Sequence, residues 1–516
     1  MKVVSVAEMR RLEAEAEKLG LPGPALMEIA GRAFADALAG RWAPIRGRKA
    51  VVLVGPANNG GDGLVAARWL GAFGARPLVV LVGRRASADA KLDLLGPAGV
   101  TGLAPADGWP EEALDGLFAG ADVVVDALLG IGRARPIGGL MKRVLDAARR
   151  GGAPIVGLDV PSGLDADTGQ ADPATPGCAE TITLGAVKRG LVIGDGPRLA
   201  GEIVPVEIGI PPRLIGDLPV DWIDAELARA RLPHRDPTGH KISFGRVLVI
   251  AGSPRYVGAP LLAALGAARS GAGLVTLAAP GEVARSVAGR LPEATFLPLP
   301  GGEEGITTAA LPTLEEVAGE YQAIVLGPGL GRGEGTAHFL EAALASQALR
   351  GGPGWVIDAD ALTLLSRIEK WHGRLPAGAV LTPHPGEMAR LLGTERVPDD
   401  RIEIARESAR RWRAIVVLKG AYSVVAEPEG RAALSPAANP ALATAGTGDV
   451  LAGAIGGLIG QGAAPNDAAL VGVALHGMAG DLVRRWRGSG GGLASEVADR
   501  LPEAAERLRV GVSSER

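Results

Sequence analysis

Three stretches in the first half of this 516-residue chain gather side chains that can bind an anion, hold a hard cation or move a proton. The first is Asn58-Asn59-Gly60-Gly61-Asp62-Gly63, directly after the apolar run AVVLVG and before the helical pattern LVAARWLGAFG. Glycines there let the chain turn tightly and aim backbone N–H groups at an anion, to which a helix N-terminus adds partial positive charge. A turn of this kind also serves as a plain helix cap, with Asn and Asp satisfying free amides. Three amide or carboxylate side chains among small residues tilt the reading toward a ligand. The second stretch runs from Asp126 into Ala-Leu-Leu-Gly-Ile-Gly-Arg-Ala-Arg-Pro, and in the third Asp159 opens Asp-Val-Pro-Ser-Gly-Leu-Asp-Ala-Asp-Thr-Gly. Each follows an apolar run, and the ends of successive parallel strands converge on one sheet edge, where ligands bind. Oxygen ligands collected there suit a hard cation, and a carboxylate among them can act as acid or base.

The second half carries Gly446-Thr447-Gly448-Asp449 ahead of a glycine-rich apolar helix. Successive N–H groups of such a turn make an anion hole, and Asp449 at its rim can accept the proton of an attacking hydroxyl during phosphoryl transfer. The competing reading is a glycine-lined helix start with an aspartate cap. Other signals are weaker alone. Gly327-x-Gly329-x-Gly331 fits a simple strand-to-helix turn as well as a nucleotide contact. His384 lies between two prolines, where a histidine is often satisfied by backbone. Lys419 ends a strand, a position suited to phosphate contact.

The segments NNGGDG, VDALLGIG and DVPSGLDADTG, with the opening SVAEMRRLE, resemble the epimerase domain of the NAD(P)H-hydrate repair family over most of residues 1–215. That resemblance implies substrate contacts at Asn58, Asn59, Gly60, Gly61 and Asp62, and at Gly130, Ile131, Gly132, Arg133, Ala134, Arg135 and Pro136. It implies Asp159 as a substrate contact and acid/base group, and a potassium ion at Asn59, Asp126 and Ser162. Two positions depart from the family pattern: Gly55-Pro56-Ala57 stands for the usual G-x-G, and Ile131 for a hydroxyl residue. The second half resembles the ribokinase-like superfamily and, within it, the ADP/ATP-dependent NAD(P)H-hydrate dehydratases. The motifs are GAPLLAALGAARSGAGLVTLA, LGPGLG, LTPHPGEMARLL, LKGAYS, NPALATAGTGD and ALHGMAGD, spread over residues 240–485. The resemblance implies that the hydrate touches Ala259, Gly329, His384 and Asp449. The adenosine nucleotide is implied at Lys419, Gly420, Ala421, Tyr422, Ser423 and Gly448.

On this reading, the second domain activates the C6 hydroxyl of the hydrated nicotinamide by phosphoryl transfer from ADP as co-substrate. Asp449 is the base, the amides of residues 446–448 stabilise charge, and a magnesium ion offsets the phosphates. Loss of phosphate restores the dihydropyridine and leaves AMP, while the first domain interconverts the two epimers with Asp159 exchanging protons. The alternative is a ribokinase-like vitamin or sugar kinase fused to a non-catalytic Rossmann-like binding module. A kinase would use ATP and leave a stable phosphorylated product.

These residues need a scaffold, and the chain supplies a rhythm of short apolar runs followed by alanine-rich helical stretches, the pattern of βα units. The first series is AVVLVG, PLVVLVG, DVVVDALLG and PIVGLDVPSG. The second starts at RVLVIAG and continues through LVTLAAP, AIVLGPGLG, WVIDAD, AVLTPHPGE and AIVVLKG. Between them proline and glycine concentrate and helical periodicity fails, which places a boundary near 215–240. The fold class expected is α/β in two domains: a Rossmann-like three-layer α/β/α domain over 1–217 and a ribokinase-like α/β domain over 222–510. The final VGVSSER reads as a frayed tail. Hydrophobic residues make up 47% and charged residues 22%, the balance of a globular protein, and a net charge of -3 gives no field to hold nucleic acid or an anionic membrane. The N-terminal stretch, with Met9, Leu12, Ala16 and Leu19 on one face, is an amphipathic helix and not a secretory signal. The most apolar stretch, 450–460, is too short to span a membrane and reads as a buried helix. Cys178 is the only cysteine, which excludes an intrachain disulfide and a cysteine-based zinc site and fits a cytoplasmic protein. A homo-oligomer of unspecified order is expected.

Overall fold

The computed structural model describes residues 1–83, 90–132 and 136–511. The chain divides into two compact units, Met1–Asp221 and Trp222–Arg516. Each is an α/β body built on a mainly parallel sheet.

The first unit has a seven-stranded sheet in the order Thr101–Leu103, Arg76–Leu81, Lys49–Val54, Val123–Ala127, Ile155–Leu158, Glu180–Leu184 and Glu202–Val206. Every pairing in it is parallel. The continuous apolar runs follow from this, since a sheet covered on both faces buries both sets of alternating side chains. Along Lys49–Val54, Ala50, Val52 and Val54 enter one core with Leu64, Ala67 and Leu70 of the helix Asn58–Ala72. Val51 and Leu53 enter the core on the other face with Leu114, Val144 and Leu145. The helix Val6–Lys18 buries Met9, Leu12 and Ala16. Leu19, expected on that face, is its C-cap and stands 47% exposed, because the helix ends before it.

The second unit's sheet runs Val220–Trp222, Ala432–Leu434, Val424–Ala426, Ile415–Leu418, Val380–Leu381, Gly354–Ile357, Ala323–Leu326, Arg246–Ile250, Leu274–Pro280 and Thr295–Leu299. From Ile415–Leu418 to Thr295–Leu299 all pairings are parallel. Val424–Ala426 and Ala432–Leu434 continue it antiparallel, as a hairpin that no alternating pattern announced. The apolar stretch at 450–460 belongs to the helix Thr447–Gly460, which is buried along nearly its whole length. Its glycines allow close packing: a side-chain carbon on Gly453 would overlap the Ala263 carbonyl of the neighbouring helix Gly258–Arg269. Among the described residues no helix is long and apolar enough to cross a membrane. The expected tail begins later than read, because Val510 closes the helix Ala494–Val510; residues 512–516 lie outside the described residues.

Candidate active sites at the two sheet edges

In the first unit, the helix Asn58–Ala72 begins inside the asparagine-rich motif, and its N-cap Ala57 provides no side-chain cap. The capping role open to the asparagines is therefore not the one they fill. Asn59, which is buried, instead donates from Nδ2 to the Leu129 carbonyl at 2.8 Å. Asp126 ends the adjacent strand and is fully buried. Its Oδ1 accepts from Ser162 Oγ at 2.6 Å and its Oδ2 from the Ser162 N–H at 2.8 Å. Ser162 Oγ in turn accepts from the Leu129 N–H at 2.9 Å. Asn59, Asp126 and Ser162 thus meet around Leu129, from three strand ends. Burial raises the Asp126 pKa above its usual value, opposed by the Ser162 hydrogen bonds.

Asp159 sits one strand further along with φ 71, a left-handed backbone held by its N–H bonding to the Ile182 carbonyl at 2.9 Å. Its Oδ1 accepts from the Leu184 N–H at 2.9 Å, from Thr183 Oγ1 at 3.2 Å and from the ammonium of Lys188. Lys188 is 1% exposed and also donates to the Leu184 carbonyl at 2.6 Å. Two more carboxyls feel this pair. Asp62 is pushed well above the usual carboxylate range by burial, then by the charges of Asp159 and Glu13. Glu13, on the first helix, is also raised, by burial first, with Lys188 opposing. Lys188 and Glu13 were not read from the sequence. Lysine in VKRGL and glutamate on an amphipathic helix both look like surface residues, and only the tertiary pairing distinguishes them.

The loop after Asp126 is described only in part. Gly130 packs against Asn59, where a side-chain carbon would stand 3.0 Å from its Cβ, and Ile131 lies partly buried against the core. Gly132 and Pro136 are exposed, whereas Arg133, Ala134 and Arg135 lie outside the described residues. Of the Gly55-Pro56-Ala57 departure, Gly55 is the constrained member, since a side chain there would overlap the Leu128 carbonyl. Ala57 is exposed and has extended backbone, so its methyl is accommodated. Part of the third motif is structural: Asp167 accepts from the Val6 N–H at 2.7 Å and so caps the first helix.

In the second unit, Gly446 takes φ 91 at the start of the helix Thr447–Gly460, and no side chain caps that end. No aspartate cap is formed there, and of the turn's amides the Thr447 N–H bonds to the Thr444 carbonyl at 3.3 Å. Lys419, at the end of Ile415–Leu418, donates from Nζ to Asp358 Oδ1 at 2.6 Å and lies 3.9 Å from Glu387 Oε2. A side-chain carbon on Gly448 would stand 3.2 Å from Lys419 Nζ, so the glycine turn and the lysine share one site. Burial, then Asp358, lifts Asp449 from 3.8 to about 7, with Lys419 opposing. Glu387 also stands at about 7, again from burial first. Lys419 is pulled down by burial but raised on balance by Asp358, Glu387 and Asp449.

The other implied contacts surround this centre. His384 is the N-cap of the helix Pro385–Leu392: its Nδ1 accepts from the Gly386 N–H at 3.0 Å, and Glu387 Oε2 accepts from the His384 N–H at 2.8 Å. The ring remains half exposed, and burial and Lys419 lower its pKa. Gly329, at φ 59, lies beside Ala259, and its loop is held by Asp360, two residues after Asp358. Asp360 accepts from the Gly331 N–H at 3.0 Å and from Arg332 Nε at 2.6 Å. The loop from Lys419 to Ser423 is clamped by Arg401, which donates to the carbonyls of Lys419 at 2.7 Å and Ala421 at 2.8 Å. Gly420 permits this, as a side-chain carbon would meet the guanidinium. Ser423 Oγ accepts from the Gly420 N–H, and the Tyr422 ring is buried near Trp222 with its N–H bonded to the Ala437 carbonyl at 2.9 Å. Asp358, Glu387 and Arg401 were missed as single residues, because nothing local marks which buried charge a distant lysine will meet.

Residues 247–503 match the family described as NAD(P)H-hydrate dehydratase, and residues 23–190 match the YjeF-related protein N-terminus. The chain is 38% identical to the bifunctional NAD(P)H-hydrate repair enzyme Nnr of Moorella thermoacetica, covering 100% of this chain and 98% of that protein. It is 40% identical to the Salinibacter ruber protein of the same name, over 96% of this chain and 94% of that one. Among solved structures it is similar to the ADP/ATP-dependent NAD(P)H-hydrate dehydratase of Bacillus subtilis, co-crystallized with ATP/Mg2+. That similarity is at 34% identity and TM-score 0.48, over 56% of this chain and 99% of the other.

Proposed function

The chain belongs to the bifunctional NAD(P)H-hydrate repair enzyme family, and from that premise we propose how its two units divide the work. The protein is an NAD(P)H-hydrate epimerase and an NAD(P)H-hydrate dehydratase; the second activity belongs to a ribokinase-like, nucleotide-dependent fold. Residues 1–217 are assigned to the epimerase and 222–510 to the dehydratase.

In the dehydratase, the observation that carries the assignment is Asp449 held near neutrality beside Lys419 and an uncapped glycine turn. A base of that strength matches a proton taken at physiological pH. Asp449 takes the C6 hydroxyl proton as that oxygen bonds to the terminal phosphorus of ADP and AMP departs. Phosphate then leaves C6 with the C–O electron pair, C5 loses a proton, and the dihydropyridine is restored. The amides of residues 446–448 meet the phosphoryl oxygens, Lys419 balances their charge, and the loop from Lys419 to Ser423 seats the adenosine nucleotide. Ala259, Gly329 and His384 hold the hydrate. Asp449 and Glu387 at about 7 mark an excess of carboxylate over cation, which fits a divalent ion; Asp358 and Glu387 would hold magnesium, which supplies charge neutralisation for the phosphates.

In the epimerase, C6 carries both a hydroxyl and the ring nitrogen, so its configuration is lost when the C6–N1 bond opens to an aldehyde. Asp159, paired with Lys188, accepts the hydroxyl proton; Asp62, whose carboxyl burial pushes well above the usual range, returns one to N1. Reclosure on the other face gives the other epimer. The residues at 58–62 and 130–136 cradle the dinucleotide. A buried Asp126 whose hydrogen-bond donors are all neutral, ringed by Ser162, Asn59 and the Leu129 carbonyl, fits potassium, which would supply the missing positive charge. The reaction is placed in the cytoplasm, and a homo-oligomer is proposed.

Pure R and S hydrates incubated with the full chain test this reading. The S form is expected to regain reduced-nicotinamide absorbance only with a nucleotide, releasing AMP and phosphate from ADP. The R form is expected to convert to S without one. A stable phosphorylated product would favour an ordinary kinase and reject the proposal.

A further inference from the structure

The helix Pro465–Arg487 carries ALHGMAGD, a segment to which the proposed reaction gives no role. One face of it lies under the chain that leads into the glycine turn. His476 is buried there, with Nε2 2.9 Å from the carbonyl oxygen of Thr447, the first residue of the helix Thr447–Gly460. Burial lowers the ring's pKa to about 4, so the imidazole is neutral near pH 7, and the nitrogen facing a carbonyl is the one that carries hydrogen. Five residues on, Asp481 Oδ1 accepts from Asn439 Nδ2 at 3.0 Å, and Asn439 Oδ1 accepts from the Ala441 N–H at 2.9 Å. Two glycines between them let the segment settle onto the helix. A side-chain carbon on Gly480 would stand 2.6 Å from Leu442 Cδ2, and one on Gly477 3.0 Å from Ala437 Cβ. Thr447 Oγ1 closes the arrangement by donating to the carbonyls of Leu442 at 2.8 Å and Thr444 at 2.9 Å.

A carbonyl in the first turn of a helix already has an acceptor role toward the N–H four residues on. A second, buried donor is not needed to satisfy it; what the imidazole adds is direction. It adds no charge beside the phosphates, which a lysine or arginine in its place would do.

We propose that His476 is a positioning residue for the dehydration, fixing the Thr447 carbonyl and hence the angle at which the 446–448 amides meet the transferred phosphoryl group. The Asn439–Asp481 bond fixes the other end of the same segment. This rests on the second unit being the dehydratase. A misplacement of about 1 Å at such a turn costs on the order of 10²-fold in rate.

In the full chain, His476→Leu is expected to lower kcat for ADP-dependent conversion of the S hydrate about 30-fold, with the hydrate KM within about 3-fold of the parent. Epimerisation of the R hydrate is expected to be unchanged. His476→Gln, whose amide N–H can reach the same carbonyl, is expected to recover kcat to within about 3-fold. A leucine variant at parental kcat, or a glutamine variant no better than leucine, overturns the proposal. Should the leucine variant not fold, Asn439→Ala cuts the far tie and is expected to lower kcat alone; parental kcat there overturns it equally. A parent chain that converts no hydrate with ADP refutes instead the assignment of the unit.

Discussion

Replacing Asp449 by Asn is expected to make the protein inactive in dehydration and, at the same time, more stable. Folding holds this carboxyl at about 7 against 3.8 when free, through burial first and the charge of Asp358 second. An acid with a raised folded pKa binds more protons in the native state. Stability therefore falls as pH climbs from 3.8 to about 7, and the penalty is complete above that. The gap corresponds to about 4 kcal/mol at full expression, which partial solvent access and the buried amide reduce to about 2 kcal/mol. For a unit of this size that is a rise of about 5 °C in its unfolding temperature. Calorimetry of the full chain at pH 8 reads it as a shift of one transition. By the same linkage about a third of the gain remains at pH 5. Turnover with ADP should drop about 10³-fold, as for loss of a general base. An unmoved transition at pH 8, a gain independent of pH, or retained turnover refutes the reasoning.

Because only ionised Asp449 accepts a proton, kcat/KM for dehydration is expected to rise with pH through about 7. Glu387→Gln, which removes one source of repulsion, should move that limb to lower pH; a flat profile from pH 5.5 to about 8.5 contradicts both. Lys188→Met strands a buried carboxylate and is expected to abolish epimerisation and to cost about 3–5 kcal/mol in thermal stability. Adding Asp159→Asn should return much of the stability and none of the activity; a single variant as stable as the parent would count against the pairing. Exchanging potassium for choline is expected to lower both the epimerisation rate and the first unit's melting temperature. Asp126→Asn should remove that response, and an equal response in parent and variant would place the ion elsewhere.

Much of both sites is visible in one dimension because the strand-end logic is local. An apolar run followed by NNGGDG marks a βα turn, and parallel strands carry such turns to one edge; GTGD instead opens a helix after a short 3-10 turn and is legible from its glycines alone. Asn59, Asp126 and Ser162 do meet, and Asp449 does stand beside Lys419. What the residues conceal is the second partner of each charge. Lys188 reaches Asp159 across 29 positions and Lys419 reaches Asp358 across 61, and no periodicity encodes such a meeting. His384 shows the converse: its proline flanks suggest a histidine satisfied by backbone, and its Nδ1 is indeed committed to the helix it caps, while the ring stays half exposed. The antiparallel hairpin at 424–434 escaped for a related reason, since its strands are only three residues long and buried on both sides.

The left-handed backbone of Asp159 limits how this chain can change. Glycine, asparagine and aspartate enter that conformation at little cost, whereas a side chain branched at Cβ is strained there by about 1–2 kcal/mol. A descendant that abandons epimerisation but keeps the scaffold thus has few single steps open at this codon, with Asn or Gly the least disruptive. On the proposed mechanism, asparagine or glycine at position 159 is the expected mark of a chain that keeps this backbone without the epimerisation.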